Sequence, residues 1–384
     1  MTPDLTADQR LFHSTAREFL AETMTVDRVR ALGASGTGFD RDWWRRAAEL
    51  GWTAMLVAED LGGGSISGQP LTELALIAAE LGRTCAPGPF VTTNAVLAGL
   101  ATAPARFGEV ISSTLAGDTV ATWAIYEPGH GFDALSADTV GSPRPEVCAE
   151  RVDGGYRLNG VKDRVEAGDQ ADLFLVTADS PDGLIQILVP AEMPGVTITS
   201  AWTLDLTRRT AQVSFADVTV NEEAVTHVGA AASIAVQAQW QTAAILTAAE
   251  SVGAIASALA ATQTWLADRY TFGRPLASYQ ALKHRMADNK TWLEACRATA
   301  TAAAATRDAR PETAAETVSV AKSYVSAKAP AIVQDCVQLH GGIGVTWEHD
   351  LHLYLRRVVL GRALYGTPEE HRRHITDLLE RDAA

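Results

Sequence analysis

The feature that most constrains this 384-residue chain is a double change of period along its length. Up to about residue 118 the apolar residues recur at helical spacing. Between about 119 and 221 they break into short β-rich runs, and from about 229 the helical period returns and holds to the end. The middle runs are Thr119–Ile125, Tyr156–Leu158, Leu173–Thr177, Gly183–Pro190, Val196–Ile198 and Ala211–Val218, separated by Gly, Pro and Asp. That composition predicts a small antiparallel barrel or sandwich. On the N-terminal side, Thr6-Ala7-Asp8-Gln9 starts a helix with Leu11, Phe12, Phe19 and Leu20 on one face, and Phe39–Trp44 opens a second that ends near Gly51. Glu59–Gly64 is a loop, and two further helices are expected over about 70–81 and 92–103. After the middle region, long segments near 231–268, 278–307, 311–337, 347–362 and 368–381 predict a helical bundle. The chain is therefore expected to be an α+β multidomain protein, helical over 1–118, β over 119–225 and helical over 226–384.

Charge narrows the partners. The formal net charge is −14 and there is no basic run, which disfavours a nucleic-acid backbone or an anionic membrane as partner. An anionic ligand would need a local cluster of donors. Cys85, Cys148, Cys296 and Cys336 lie far apart with neither metal nor disulfide spacing, which predicts a reducing cytoplasm. The first residues show no basic stretch followed by an apolar one, so no signal peptide is expected. No apolar run approaches the roughly 20 residues that span a bilayer. The Ala-rich stretches between 229 and 264 read as packed helices, and the expectation is a soluble cytoplasmic protein.

Chemistry concentrates in the last third. Arg269-Tyr270-Thr271-Phe272-Gly273-Arg274-Pro275-Leu276 reads as a helix end, a Gly-Arg-Pro turn and a fresh helix start, followed by Gln280 and Lys283-His284-Arg285-Met286-Ala287-Asp288. Taken alone, the Phe-Gly pair is ordinary helix-capping chemistry. Gln338-Leu339-His340-Gly341-Gly342-Ile343-Gly344 closes another helix with a glycine cluster, where backbone amides can approach a ligand closely. The ordered combination is far more specific than either piece.

In these motifs the sequence resembles the flavin-dependent acyl-CoA dehydrogenase family. The resemblance extends along the whole chain: Trp52 with Glu59–Gly64, Glu80-Leu81-Gly82-Arg83, Glu127-Pro128-Gly129 and Leu158-Asn159-Gly160-Val161-Lys162 all match family segments. It implies an N-terminal helical domain, a middle antiparallel β-barrel and a C-terminal four-helix bundle. It also implies FAD lying across a subunit interface, a tetramer built as a dimer of dimers, an acyl-CoA substrate and an electron-acceptor flavoprotein. Arg269, Phe272, Gln280, Gln338, Gly341 and Gly342 match positions that reach the adenosine-diphosphate half of the neighbour's FAD, and Thr367 is a further cofactor contact. The implied reaction is α,β-desaturation in lipid metabolism. A carboxylate removes the α-proton while the β-hydrogen leaves as hydride to the flavin, with the thioester oxygen held by hydrogen-bond donors.

The sequence departs from the family pattern at the chemistry itself. The usual catalytic Glu precedes a Gly-Thr pair; here Tyr365 precedes Gly366-Thr367, and a phenol with an ordinary pKa near 10 is a poor base at neutral pH. The alternative family position, on the long helix before the Arg-x-x-Phe-Gly motif, falls at Ala243 or Ala244. Glu250 on the same helix is the candidate base that remains, set against the reading in which it pairs with an arginine across the bundle. Tyr126 stands where the family has Thr. Arg164-Val165-Glu166 replaces Trp-Ile-Thr beside the flavin ring and pyrophosphate, where a glutamate faces phosphate unfavourably.

These departures suggest one half of a heteromeric acyl-CoA dehydrogenase, of the kind that acts on bulky or steroid-derived acyl-CoA. The other readings are a homotetramer with a relocated base, a flavin monooxygenase on the same fold, and a non-catalytic scaffold subunit. Lesser features have plainer expectations. His349 and His352 open a helix rather than bind a metal, Arg356-Arg357 and Arg372-Arg373 make intersubunit or helix-dipole contacts, and Asp205–Arg209 is a solvated loop.

Overall fold

The computed structural model of the chain describes residues 5–131 and 144–383. Six helices come first: α1 (Ala7–Thr23), α2 (Val26–Ser35), α3 (Arg41–Glu49), α4 (Pro70–Thr84), α5 (Phe90–Leu100) and α6 (Gly108–Leu115). Eight strands follow: β1 (Ala121–Ala124), β2 (Cys148–Val152), β3 (Gly155–Glu166), β4 (Leu173–Ser180), β5 (Gly183–Pro190), β6 (Val196–Ala201), β7 (Thr210–Asn221) and β8 (Val225–Val228). The chain then returns to helix in α7 (Ala230–Asp268), α8 (Gln280–Ala309), α9 (Ala314–His340), α10 (Leu351–Ala363) and α11 (Pro368–Ala383). The α-β-α order is the one the periodicity predicts, with five helices rather than four after the sheet.

The contacts group the chain into two compact units, each discontinuous in sequence. One comprises Met1–Ala31, Ser67–Ala86 and Ala244–Ala384; the other comprises Leu32–Ile66 and Pro87–Ala243. In the first unit α1 begins with a capping box, Thr6 and Gln9 exchanging side-chain and backbone bonds of 3.1 Å each. The N-terminus of α4 is capped by Asp308 at the end of α8, whose carboxylate accepts from the amides of Leu71 and Thr72 at 2.9 Å. α4 and α7 cross at backbone contact. A Cβ on Gly82 would lie 1.8 Å from the Glu250 carbonyl oxygen, and one on Gly253 1.8 Å from that of Ala79, so glycine is required at both positions. Val252, Ile255, Leu293, Val325, Ile332 and Val358 form the core where α7, α8, α9 and α10 meet.

The second unit is built on the sheet, hydrogen-bonded in the order β6-β7-β3-β2-β4-β5-β8 with β1 alongside β4. It is mostly antiparallel, but β1–β4 and the single β2–β4 pair Cys148↔Asp179 are parallel. A parallel pair needs a crossover connection, which the β2–β3 hairpin between β1 and β4 supplies. The described ladder has open ends at β6 and β8, so the expected barrel takes the form of a curved sheet that hydrogen bonds do not close. β3 pairs with β7 along its whole length apart from two irregularities; the second, between Lys162 and Val165, leaves Arg164 at φ +48°. Leu158, Phe174, Val176, Ile185, Ile187, Val213 and Phe215 fill the sheet's core face.

One expectation needs correction. Among the described residues α7 is long and apolar enough to cross a membrane by length and composition, with mean hydropathy 1.6 over its most apolar window; 83% of that window is buried in the fold. The alanines that make it apolar also let neighbouring helices approach, which is the behaviour of a core helix.

Candidate functional site

In the first unit the Arg-x-x-Phe-Gly segment is a two-residue β-hairpin. Tyr270–Thr271 pairs antiparallel with Arg274–Pro275. Phe272 (φ +52°) and Gly273 (φ +80°) both adopt the left-handed conformation that a type I′ turn demands. The expected Gly-Arg-Pro turn is thus a hairpin, and a phenylalanine tolerates the unfavourable position because the flanks are clamped. The Leu276 amide donates to Arg269 O and the Tyr279 hydroxyl to Thr271 O, each at 2.8 Å, while the Arg274 guanidinium lies 3.9 Å over the Tyr279 ring. The clamp leaves Phe272 92% exposed. Arg269 and Gln280, the first residue of α8, are exposed as well.

A column of rings joins this hairpin to the glycine cluster. Trp265, in the last turn of α7, stacks on His340 at the end of α9 with centroids 5.3 Å apart. The Arg269 guanidinium lies 5.8 Å from the Trp265 ring, and His349 meets His340 edge-on at 4.5 Å. Arg269 and the Gln338–Gly342 segment are therefore brought to one place. Gln338, Gly341 and Gly342 are exposed. A Cβ at Gly341 or Gly342 would meet nothing within 4 Å, whereas one at Gly344 would lie 2.5 Å from the Val337 carbonyl oxygen. Gly344 is thus a packing glycine, and the first two present bare backbone outward. The two loops also expose Tyr270, Ile343, Val345 and Trp347.

The position of the usual catalytic carboxylate is occupied by buried Tyr365 (φ +54°), a left-handed non-glycine residue that costs about 1–3 kcal/mol. The surrounding loop offsets that strain. His371 Nε2 donates to Tyr365 O at 3.0 Å, and Lys322 Nζ donates to Gly366 O at 2.8 Å and Gly361 O at 2.9 Å. Lys322 is wholly buried, and burial pushes its pKa down to about 7 against the opposing pull of Glu370. Thr367 caps α11. Its hydroxyl accepts from the Glu370 amide at 3.2 Å and its own amide donates to the Glu370 carboxylate at 2.6 Å. Glu369 pairs with Arg362 and Arg372 at 3.0 Å.

Glu250, the candidate base, is buried with its carboxylate 2.6 Å from Arg357 Nη1. Arg357 also donates to Cys85 O at 3.0 Å and Ala86 O at 3.3 Å, so it ties α7 and α10 to the end of α4. A carboxylate committed to a buried guanidinium acts as a structural acceptor. Arg356, by contrast, turns over the Trp347 ring at 5.0 Å. Ala243 and Ala244 are fully buried.

In the second unit Glu127 and Lys162 form a buried pair at 2.6 Å. Glu127 also accepts from the amides of Glu146 and Val147 at 2.7 and 3.0 Å. Burial works to raise the Glu127 pKa, but the Lys162 charge and these donors outweigh it and hold it below the ordinary range. Burial pushes Lys162 down to about 8. Arg164 lies 4.6 Å over the Tyr126 ring and donates to the carbonyls of Glu127 (3.1 Å) and His130 (2.5 Å). Glu166 is buried and pairs with buried Arg208 at 2.5 Å.

That last pair corrects the expected solvated loop: Asp205, Thr207 and Arg208 are buried, and the exposed residues nearby are Trp202 and Leu204. Sequence reasoning treated Glu166 as a charge without a partner and missed the partner 42 residues away. No local signal identified the partner, since β3 carries Arg157, Lys162, Asp163 and Arg164 beside Glu166; only the general need of a buried acid for a cation applies. His352 stacks on Trp347 at 4.4 Å, and no metal-ligating cluster occurs among the described residues.

A helical–β–helical chain with these motifs in this order has the acyl-CoA dehydrogenase architecture, and the comparisons agree. Residues 6–109 match the acyl-CoA dehydrogenase N-terminal domain and residues 233–379 its C-terminal domain. The chain belongs to the acyl-CoA dehydrogenase family, whose members are FAD-dependent oxidoreductases. It is 32% identical to acyl-CoA dehydrogenase IpdE2 of Mycobacterium tuberculosis over 96% of both chains. Among solved structures it resembles a variant of the Tcur3481–Tcur3483 steroid acyl-CoA dehydrogenase (TM-score 0.86, 26% identity, 98% of each chain covered). It also resembles the ChsE4–ChsE5 complex of Mycobacterium tuberculosis (TM-score 0.85, 25% identity, 99% of each chain covered).

Proposed function

We propose that this chain is the partner subunit of a heteromeric acyl-CoA dehydrogenase acting on a bulky, steroid-type acyl-CoA. On this reading it lends the outward surface around Arg269, Phe272, Gln280, Gln338, Gly341 and Gly342 to the adenosine-diphosphate half of an FAD. A second chain of the same family supplies the ring pocket and the carboxylate base. The observation that carries the proposal is the buried Glu166–Arg208 pair, which fills with protein charge the positions that line the flavin ring in the family. Arg164 over Tyr126 closes the same strand end.

The residues in hand fit the two halves of FAD differently. The bare backbone at Gly341 and Gly342 leaves room for a dinucleotide to approach, and Arg269 supplies a cation for its phosphates. When bound, the flavin accepts the β-hydrogen as hydride and passes electrons to an acceptor flavoprotein. Neither candidate position offers a free carboxylate for the α-proton: the family position is Tyr365 and Glu250 is held by Arg357. The exposed hydrophobic side chains of Tyr270, Phe272, Val345 and Trp347 suit coverage by another chain. The heteromeric and steroid-linked names among the relatives support the same reading.

The test is to purify the chain alone and with a co-expressed family member that carries the missing Glu, and to count flavin by absorbance. The expected result is little FAD on the chain alone and one FAD per pair with acyl-CoA-dependent bleaching. Stoichiometric FAD on the isolated chain, reduced by an acyl-CoA, would overturn the proposal.

A further inference from the structure

The first unit contains a cavity of about 490 Å³ walled by α1, α4, α7 and α8, none of whose lining residues belongs to the Arg269–Leu276, Gln338–Gly344 or Tyr365–Thr367 segments. That volume lies within the range of small-molecule sites, roughly 300–1,000 Å³. It follows from the glycine crossing of α4 and α7. The backbones touch at Gly82 and Gly253, and beside the crossing the facing side chains are Ala79, Ala249, Ala256, Ala300 and Ala304, whose methyl groups are too short to fill the space.

One end of the cavity is cationic. Glu80 is occupied, taking His13 Nε2 at 2.9 Å and the Nε of Arg83. The Arg83 side chain is 28% exposed and lines the cavity, and its Nη2 has no hydrogen-bond partner among the described residues. Arg17, on the exposed face of α1, lines the same cavity, and Arg297 lines it while bonded to Glu294 at 2.7 Å. Three guanidinium groups thus face a single carboxylate in a chain whose net charge is −14. A buried N–H without an acceptor is costly, and a planar guanidinium holds a carboxylate by two parallel N–H···O bonds.

We propose that this cavity binds a small amphipathic monocarboxylate, with its carboxylate on Arg83 and Arg17 and its apolar body against the alanine wall. A neutral alcohol of the same length leaves the guanidinium arm unsatisfied, and a cation is repelled. The site is separate from the FAD surface, so it stands or falls independently of the heteromer.

The probe is sodium decanoate below its micelle concentration, titrated calorimetrically into the full-length chain, with decanol and decyltrimethylammonium as controls. The expected result is saturable binding of one decanoate, at least about tenfold weaker binding of decanol, and none of the cation. Arg17→Met, which removes a side chain with no hydrogen-bond or ion-pair partner among the described residues, weakens decanoate at least about threefold. Ala256→Leu projects a larger side chain from the alanine wall into the cavity and weakens binding while the circular dichroism melt is retained. Equal affinity for decanoate and decanol, undiminished binding to folded A256L, or no saturable binding at all would each overturn the proposal. So would loss of decanoate binding when the chain is assembled with a partner, which would show that the face is covered by protein.

Discussion

Replacing Arg357 by Met separates the two roles that Glu250 could play. The side chain is wholly buried and bonds three acceptors, the Glu250 carboxylate and the carbonyls of Cys85 and Ala86. Removing one partner of such a pair strands a charge in the interior at a cost of about 3–5 kcal/mol. In a unit of this size each kcal/mol moves the melting temperature by about 2–4 °C, so R357M is expected to melt about 6–20 °C lower. Glu250→Gln keeps the shape but leaves Arg357 uncompensated, and should lower Tm in the same direction by a smaller amount. The double variant E250M/R357M replaces the pair with apolar volume and should recover much of the loss, since buried ion pairs are often no better than packed side chains. Calorimetric melts of the two single variants and the double variant give the coupling directly, and stopped-flow flavin reduction in the assembled enzyme gives the chemistry. If E250Q leaves Tm unchanged but cuts flavin reduction by about a thousandfold or more, Glu250 is the base and the structural account fails.

Two further expectations follow from the helices of the same unit. Gly253→Ala places a methyl group 1.8 Å from the Ala79 carbonyl oxygen. The α4–α7 crossing must open, and denaturant melts should show a loss of about 3 kcal/mol or more; a loss under about 1 kcal/mol would mean that the helices are not held at that spacing. Lys322 has a folded pKa near 7, below the ordinary value of 10.5. The unfolded chain therefore binds more protons than the native one between those values, and this group's contribution makes stability rise with pH from about 7 toward 10. K322M should lack that slope when Tm is measured across the window, and an identical slope in both proteins would refute the assignment.

The parts of the fold that could be read from sequence are those set by local pattern. The change from period 3.6 to period 2 and back placed the sheet between two helical regions, and Thr6 with Gln9 announced a capping box that is present. The β1–β4 parallel pair had no local signal, because strand partners are chosen by packing across the β2–β3 hairpin. The Phe272–Gly273 hairpin was hidden because type I′ turns favour Asn-Gly, and a phenylalanine at φ +52° is held there by Tyr279 and Leu276 beyond the turn.

The largest gap concerns charge. From sequence alone, a glutamate in an apolar setting reads first as one arm of an ion pair and second as a poised base, with no partner identified. The cation that decides between them lies 107 residues away for Glu250 and 42 residues away for Glu166. Both acids turn out to be paired and buried, and both pairs lie on segments where the family places a base or a flavin ring. Each exchanges a reactive or ligand-binding position for a neutral, closed contact. The surface motifs at Arg269 and Gly341 remain open, so on the proposed heteromeric reading the division between what this chain completes for itself and what it offers a neighbour follows the distribution of buried charge.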